Sequence, residues 1–448
     1  MTGPARLLAA PRELWDNASY HGVRATSHYG WQGVVCANRF VSAVAVPDIG
    51  GRILGFALGP YQYLFTNPAL VGKLFTPEEH QGDGSLAAWK NYGGSKTWPA
   101  PQGWDGSEQW AGPPDPVLDG GRYACAFVRD ARGAGVTMTS PSDPRTGLRI
   151  TREVRVDRDS ARLTLDLTFE NVSQRLVRWA IWDVLQLECG RLTADGSSVG
   201  DDACWLYVPT NTVAPEPYRV LFGDDHAQWH AATWPGLLGI QFQARMGKIA
   251  VTSPRGWIAF CNQRAGYALC LRFPPPEHDA EYPDGGATVE CWAEAPEASA
   301  PGLNYHAAGS LLEAEVLGPL RSLAPGERTS LAIEWAAARC DGPIADVGAA
   351  GCTSRALEVA ANGPWARVRG VFGCFEAGTL EVAWRDRLDR ELGRHAVGLA
   401  SPLLTARLDA AVPMPAAASA ARLDLRRSDG TLVGALGDAD VAYLAPRD

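Results

Sequence analysis

The chain is predicted to be mostly β, with large sheets, long inserted loops and a small β-sandwich at its C-terminal end. Period-two alternation of apolar and polar residues dominates the sequence, and long amphipathic helices are hard to find. The length of 448 residues exceeds what one hydrophobic core usually serves, so a large domain and a smaller one are expected. The texture changes after Arg339. Residues 340–354 are rich in Gly, Ala and Asp and read as a linker, which separates a domain over residues 1–340 from an appendage over 355–448.

The first clear strands are expected at residues 40–46 and 52–58. From Leu86 to Gly121 the sequence is too rich in Gly and Pro for a helix, yet it carries Trp89, Trp98, Trp104 and Trp110. Indoles on irregular backbone are hard to bury fully, which suggests a wide, mobile ligand-binding loop. Their faces suit the C–H faces of sugar rings, and Lys96, Gln102 and Asp105 can bond hydroxyls. The plainer alternative is a flap that caps the core. A strand at residues 123–128 follows.

The clearest hairpin comes next. Leu148, Ile150, Val154 and Val156 alternate with Arg149, Thr151, Glu153 and Arg155, and Arg152 interrupts the apolar face. After a turn at Asp157-Arg158-Asp159-Ser160, Leu163, Leu165, Leu167 and Phe169 alternate with polar residues, as in a half-buried antiparallel pair. In residues 175–188 one face reads Arg178, Ala180, Trp182, Val184 and Gln186; the other is apolar except for Asp183. Further strands are expected at residues 249–252, 257–261, 268–273, 287–295 and 310–317. Short strands at residues 366–375, 379–385, 391–399 and 421–427 make up the appendage, the last meeting residues 431–433 across Ser428-Asp429-Gly430. No convincing catalytic group falls there, and a structural or docking role is its default.

Hydrophobic content of 46% and charged content of 20% are those of a globular chain, and the net charge of −9 comes with no basic stripe. Nucleic-acid binding is therefore not expected. No apolar run approaches the ~20 residues of a membrane helix. The first fifteen residues lack the pattern of a secretory leader, so a cytoplasmic protein is expected, although a trimmed secreted form would read the same. Ten cysteines sit widely spaced, mostly in apolar strand-like runs, and are expected to be reduced core thiols.

Arg178, Trp182 and Gln186 offer a cation, an aromatic plate and an amide along one face, a set that recognises sugars; the alternative is a solvated outer face. Glu290 and Glu294 flank Trp292, and Glu313 and Glu315 share a face with Leu311 and Leu317. Carboxyls among apolar neighbours titrate near neutrality and can exchange protons, and sugar chemistry needs an acid and a base on either side of a ring. Alternatively Glu313 and Glu315 each pair with an arginine such as Arg152. The segment Glu277–Gly286 gathers Glu277, His278, Asp279, Glu281 and Asp284 in a loop, which is either catalytic or a polar surface turn. His226 and His230 near Asp224 and Asp225 give only a weak metal signal, so neither metal nor cofactor is expected. The P-loop, the GxSxG elbow and a GxGxxG after a strand are all missing from the sequence.

Asp48-Ile49-Gly50-Gly51-Arg52-Ile53, followed by Leu64-Phe65-Thr66-Asn67-Pro68, resembles the opening of galactose-mutarotase-like domains. Gly93-Gly94-Ser95-Lys96-Thr97-Trp98, Leu118-Asp119-Gly120-Gly121, Tyr282-Pro283-Asp284-Gly285-Gly286, Leu312-Glu313-Ala314-Glu315 and Leu317-Gly318-Pro319-Leu320 narrow the likeness. Over roughly Trp31 to Trp335 the chain is similar to a bacterial family of unknown function in that superfamily. The resemblance implies a β-supersandwich over residues 1–340 with a sugar site on the concave face of its large sheet. Mutarotases open a sugar hemiacetal with a glutamate base and a histidine acid. Where their histidine follows an Asn-containing turn, this chain offers Trp179, Trp182 and Asp183 after Asn171 and no histidine. Where their glutamate precedes Pro-Asp-Ala, this chain has Glu277, His278 and Glu281 before Pro283-Asp284. Simple 1-epimerase activity is therefore not expected, whereas carbohydrate binding is.

The reading is a carbohydrate-active protein that binds a sugar or oligosaccharide in a Trp-lined cleft. Catalysis at or near an anomeric or uronate carbon is assigned to Glu313, Glu315, Glu281 and His278. Binding is assigned to Lys96, Trp98, Gln102, Arg152, Arg178, Trp182, Gln186, Glu290 and Trp292. A non-catalytic glycan-binding protein and a structural protein that uses the Trp-rich loop as an interface are the alternatives.

Overall fold

Strands Leu148–Asp157 and Arg162–Asn171 form the hairpin that the alternation predicts, with Leu163 opposite Val156 and Phe169 opposite Ile150. Their apolar side chains are fully buried, each stabilising the fold by ~1.5–3 kcal/mol relative to exposure. The computed structural model describes residues 22–103, 109–195, 197–212, 216–298 and 305–443. Trp104 and Asp105 lie outside the described residues. Two compact units are formed. One comprises the described residues of Met1–Arg158, Leu163–Phe260 and Leu271–Trp335; the other comprises those of Asp159–Arg162, Cys261–Cys270 and Ala336–Asp448.

Two large sheets carry the regular structure of the first unit. In the sheet that positions the site, the strand order is Gly22–His28, Trp31–Ala37, Val41–Val46, Arg52–Leu58, Ser95–Ala100, Val177–Glu188, Leu311–Leu317, Val289–Glu294, Gly247–Val251 and Arg219–Phe222. The second sheet has ten strands and contains the hairpin. The sheets meet face to face, as the rings of Phe56 and Trp335 show at 5.5 Å. This mostly β architecture is the expected one.

The stretch expected as a mobile loop is partly something else. Ser95–Ala100 is a fully buried strand near the middle of the first sheet, paired with Val177–Glu188 along its length and with Arg52–Leu58 only at Ser95. That single paired edge beyond Ser95 is where Pro99, which cannot donate a ladder hydrogen bond, is tolerated. The glycines before it are required by close backbone approach. Gly93 and Gly94 have φ of +94° and +73°, and a Cβ at either would stand 2.3 Å from a carbonyl oxygen.

Arg152 also departs from expectation. Its side chain is fully buried between the two sheets, on the face of the first sheet away from the candidate cleft. Nη1 donates to the carbonyls of Gly51 (2.7 Å) and Ser95 (2.9 Å), and Nη2 donates to Ser95 Oγ (2.6 Å). Asp183, the one polar residue on that face of its strand, lies 3.6 Å from Nη2 and accepts from Thr97 Oγ1 at 2.9 Å. Arg152 therefore binds the two sheets together and is not placed to touch a ligand in the cleft. It does not partner Glu313 or Glu315 either.

The second unit is an eight-stranded sheet, antiparallel except where Gly351–Asn362 runs parallel to Leu432–Tyr443. One core that includes Val368, Phe372, Val382, Trp384, Leu423 and Leu425 draws on both halves of this sheet, which is folded over on itself as a sandwich. The expected linker is built into it: Asp346–Val347 pairs with Gly351–Asn362, a strand whose alternation is masked by small residues. None of the ten cysteines is in a disulfide, and all but Cys125 are buried. Among the described residues, no helix is long and apolar enough to cross a membrane.

Candidate functional site

Register decides which side chains meet. Trp182 stands opposite Trp98 on one side and Leu317 on the other, and Gln186 stands opposite Glu313. Glu290 is opposite Glu315, and Trp292 is opposite both Glu313 and Lys248. Directly opposed residues share a face. These side chains therefore all project from the face of the first sheet turned away from the second sheet. Over them lies a cleft of about 370 Å³, whose walls include Trp98, Trp182, Trp292, Phe222 and Trp89.

The aromatic wall is fixed by one carboxylate. Asp119 accepts from Trp89 Nε1 at 2.8 Å and from Trp98 Nε1 at 3.1 Å, and its charge is matched by the buried guanidinium of Arg52. Trp98 in turn packs edge-on against Trp182, centroids 5.4 Å apart.

Three glutamates line the cleft in three different environments. Glu313 is paired with Lys96 at 3.0 Å and accepts from Gln186 Nε2 at 2.7 Å. Burial holds the Lys96 amine below the ordinary lysine range, opposed in part by Glu313, and the ammonium sits 4.7 Å from the Trp98 ring centroid. Glu290 shares Lys248 with Glu315, at 2.7 and 2.9 Å. One lysine cannot neutralise two buried carboxylates. Lys248 is held in its charged form and the two glutamates keep a proton between them, with Glu290 pushed up to about 8, first by burial.

Glu294 has only neutral donors. Trp292 Nε1 (3.1 Å), the Tyr305 hydroxyl (3.3 Å) and the Ala308 N–H (3.1 Å) all reach it. Burial first, and then the charge of Glu313, raise its pKa from 4.5 to about 7. Tyr305→Phe removes a donor that favours the ionised form, so the Glu294 pKa is expected to rise further, by under about one unit. Carbon-13 NMR titration of labelled glutamate checks this; a fall would contradict the assigned hydrogen bond.

Of the residues expected at the site, Trp98, Gln102, Trp182, Glu290, Trp292 and Glu313 line this cleft together. Lys96, Gln186 and Glu315 lie buried beneath it, reaching it through Glu313, Lys248 and the Trp182 indole, which donates to Glu315 at 2.7 Å. Arg178 and Glu281 are not in it. They pair with each other in an adjoining depression, because Arg178 stands beyond Ala180, where its strand has left Ser95–Ala100 and pairs with Arg321–Leu323. His278 is also outside, its side chain 97% exposed and bonded to Asp279, as a polar surface turn would have it. Trp110 is fully buried and donates to Asp115.

Sequence reasoning missed Lys248, because the expected strand starts two residues late, at Ile249 instead of Gly247. Glu294 was recognised beside Trp292 but not assigned to the site. Asp119 falls in one of the motifs that carry the family resemblance but was given no role, and Tyr305 and Phe222 gave no signal, since each is brought in by tertiary packing. Among the described residues, no group of three or more His, Cys, Asp or Glu is arranged to hold a metal ion.

No curated protein matches this sequence. Among solved structures, a galactose mutarotase-like protein from Lactobacillus casei is 11% identical with a TM-score of 0.42, covering 68% of this chain and 99% of that one. A galactose mutarotase-like protein from Clostridium acetobutylicum is 8% identical with a TM-score of 0.43, covering 71% and 99%. A TPR-domain containing protein from Parabacteroides distasonis is 12% identical with a TM-score of 0.43, covering 70% of this chain, which spans about half (48%) of that longer protein. Likenesses this distant concern the path of the chain and carry nothing about a reaction. The model described as Domain of unknown function (DUF4380) matches residues 32–338, most of the chain, which therefore belongs to the DUF4380 family.

Proposed function

We propose that this protein is carbohydrate-active: it binds a neutral sugar in the Trp-lined cleft and moves protons at or near the anomeric carbon. The observation that carries the reading is the contrast between two carboxyls on one sheet face. Glu313 is held against a lysine, whereas Glu294 has no cation among its partners and keeps its proton up to about pH 7. Environments that separate two carboxyls in this way divide the roles of base and acid. Glu313 acts as the base and Glu294 as the acid, while half-buried Trp292 offers a ring face for the sugar. Asp284, Glu290, Glu294 and Glu313 line the cleft against one lining lysine, Lys248, which favours a neutral sugar over a uronate.

A non-catalytic glycan-binding protein is the second reading. It is favoured by the engagement of Glu313 with both Lys96 and Gln186, which a purely structural ion pair would also show. Titration of a panel of neutral mono- and oligosaccharides against tryptophan fluorescence, with proton NMR of each mixture, tests the proposal. Quenching with at least one sugar is expected, weakened about tenfold or more by Trp292→Ala. Binding without any chemical change in the sugar selects the second reading, and no binding sinks both.

A further inference from the structure

We infer that the cleft opens at Asp284 into a longer groove that takes an extended glycan chain; this rests on the saccharide reading above. Asp284 lines the cleft and two more depressions at once. One, of about 720 Å³, is walled by Arg178 and Glu281; the other, of about 420 Å³, is walled by Tyr218 and Arg219. All three volumes fall within the ~300–1,000 Å³ of small-ligand sites. A wall residue common to all three makes them neighbours that one continuous ligand can cross.

The turn is shaped to put a carboxylate there. Asp284 adopts φ 48° and ψ 44°, a left-handed conformation that costs a non-glycine residue about 1 kcal/mol or more, and Gly285 follows at φ +67°. A Cβ on Gly285 would stand 2.6 Å from an Arg219 guanidinium nitrogen, so the turn passes directly over the arginine that walls one depression. Asp284 is also close enough to help raise the Glu290 pKa, which ties the junction to the carboxyls of the cleft.

Contents differ between the cleft and the two depressions. The buried carboxyls belong to the cleft alone. The first outer depression offers the solvent-accessible Arg178–Glu281 pair, with side chains 43% and 66% exposed. The second offers exposed Arg219 beside Tyr218, whose hydroxyl bonds Asp225 at 2.7 Å. Such groups bond sugar hydroxyls without taking part in chemistry. The unit that reacts lies in the cleft, and at least one further unit lies beyond Asp284.

The full-length protein is to be applied to an array of neutral glycans graded from one to six units, and the best-bound series measured by calorimetry. Affinity is expected to rise about tenfold or more between one unit and three, then level off. Arg178→Ala and Arg219→Ala, both surface changes checked by melting temperature, are expected to lower affinity for the longer members only. Equal affinity at every length, or variants that weaken short and long members alike, overturns the groove and leaves the cleft reading standing. No binding at any length overturns both.

Discussion

Glu294→Gln and Glu313→Gln are each expected to lose about 10²–10⁴-fold in turnover of a bound sugar while its affinity survives. An amide keeps the shape and most hydrogen bonds of the carboxyl but can neither give nor take the proton. The wild-type rate should carry the signature of the acid: it falls as pH rises past about 7, where Glu294 loses its proton. Stability supplies an independent readout of the same group. The folded protein holds this proton up to about pH 7, whereas the unfolded chain releases it near 4.5. The folded state therefore binds more protons than the unfolded state across that window, and this group's contribution to stability declines as pH rises through it. Glu294→Gln removes the decline, so the variant should gain on the wild type by up to about 3 kcal/mol above pH 7. Turnover that persists in both variants would end the acid–base assignment. Variants that bind sugar normally alongside a wild type that never turns it over would establish the glycan-binding reading instead.

Arg152→Met is expected to cost about 3–5 kcal/mol of stability, because it leaves Asp183 buried without its cation. Burial already pushes the Asp183 carboxyl up to about 6, even with Arg152 beside it. The double change Arg152→Met with Asp183→Leu should recover much of the loss, since an apolar pair of similar volume needs no compensation. Urea denaturation of the single and double variants measures both effects. Sugar affinity of the folded single variant should match the wild type, because the guanidinium lies on the far face of the sheet. A large change in affinity with little change in stability would return Arg152 to the binding site.

The parts of this fold that could be read in advance are those whose information is local. Leu148–Asp157 and Arg162–Asn171 have one wet face and one dry face, so their apolar residues alternate and their register follows from a short turn. Trp182 and Gln186 were found on one face because they stand four apart on a strand, although that strand is buried on both faces. Ser95–Ala100 was misread because both its faces are covered, which removes the alternation, and because Gly93, Gly94 and Pro99 signal a loop. Arg152 looked like a ligand-binding interruption of an apolar face. What satisfies it is carried by strands far away in sequence, and nothing local announces that Asp183 is its partner. The same limit hid Lys248, whose role depends on two glutamates contributed by other strands.

Asp119 gives the cleft a further property. Two indoles of the cleft, Trp89 and Trp98, are tied to a carboxylate that Arg52 already neutralises. Immobilising a mobile side chain on binding costs about 0.5–1.5 kcal/mol, and here that ordering is complete when the chain folds. A ligand entering the cleft would therefore meet rings already oriented, so loss of side-chain freedom at these two positions would not weaken its binding. Loosening Asp119 would lower the affinity of such a ligand through entropy alone, with every residue that lines the cleft still in place.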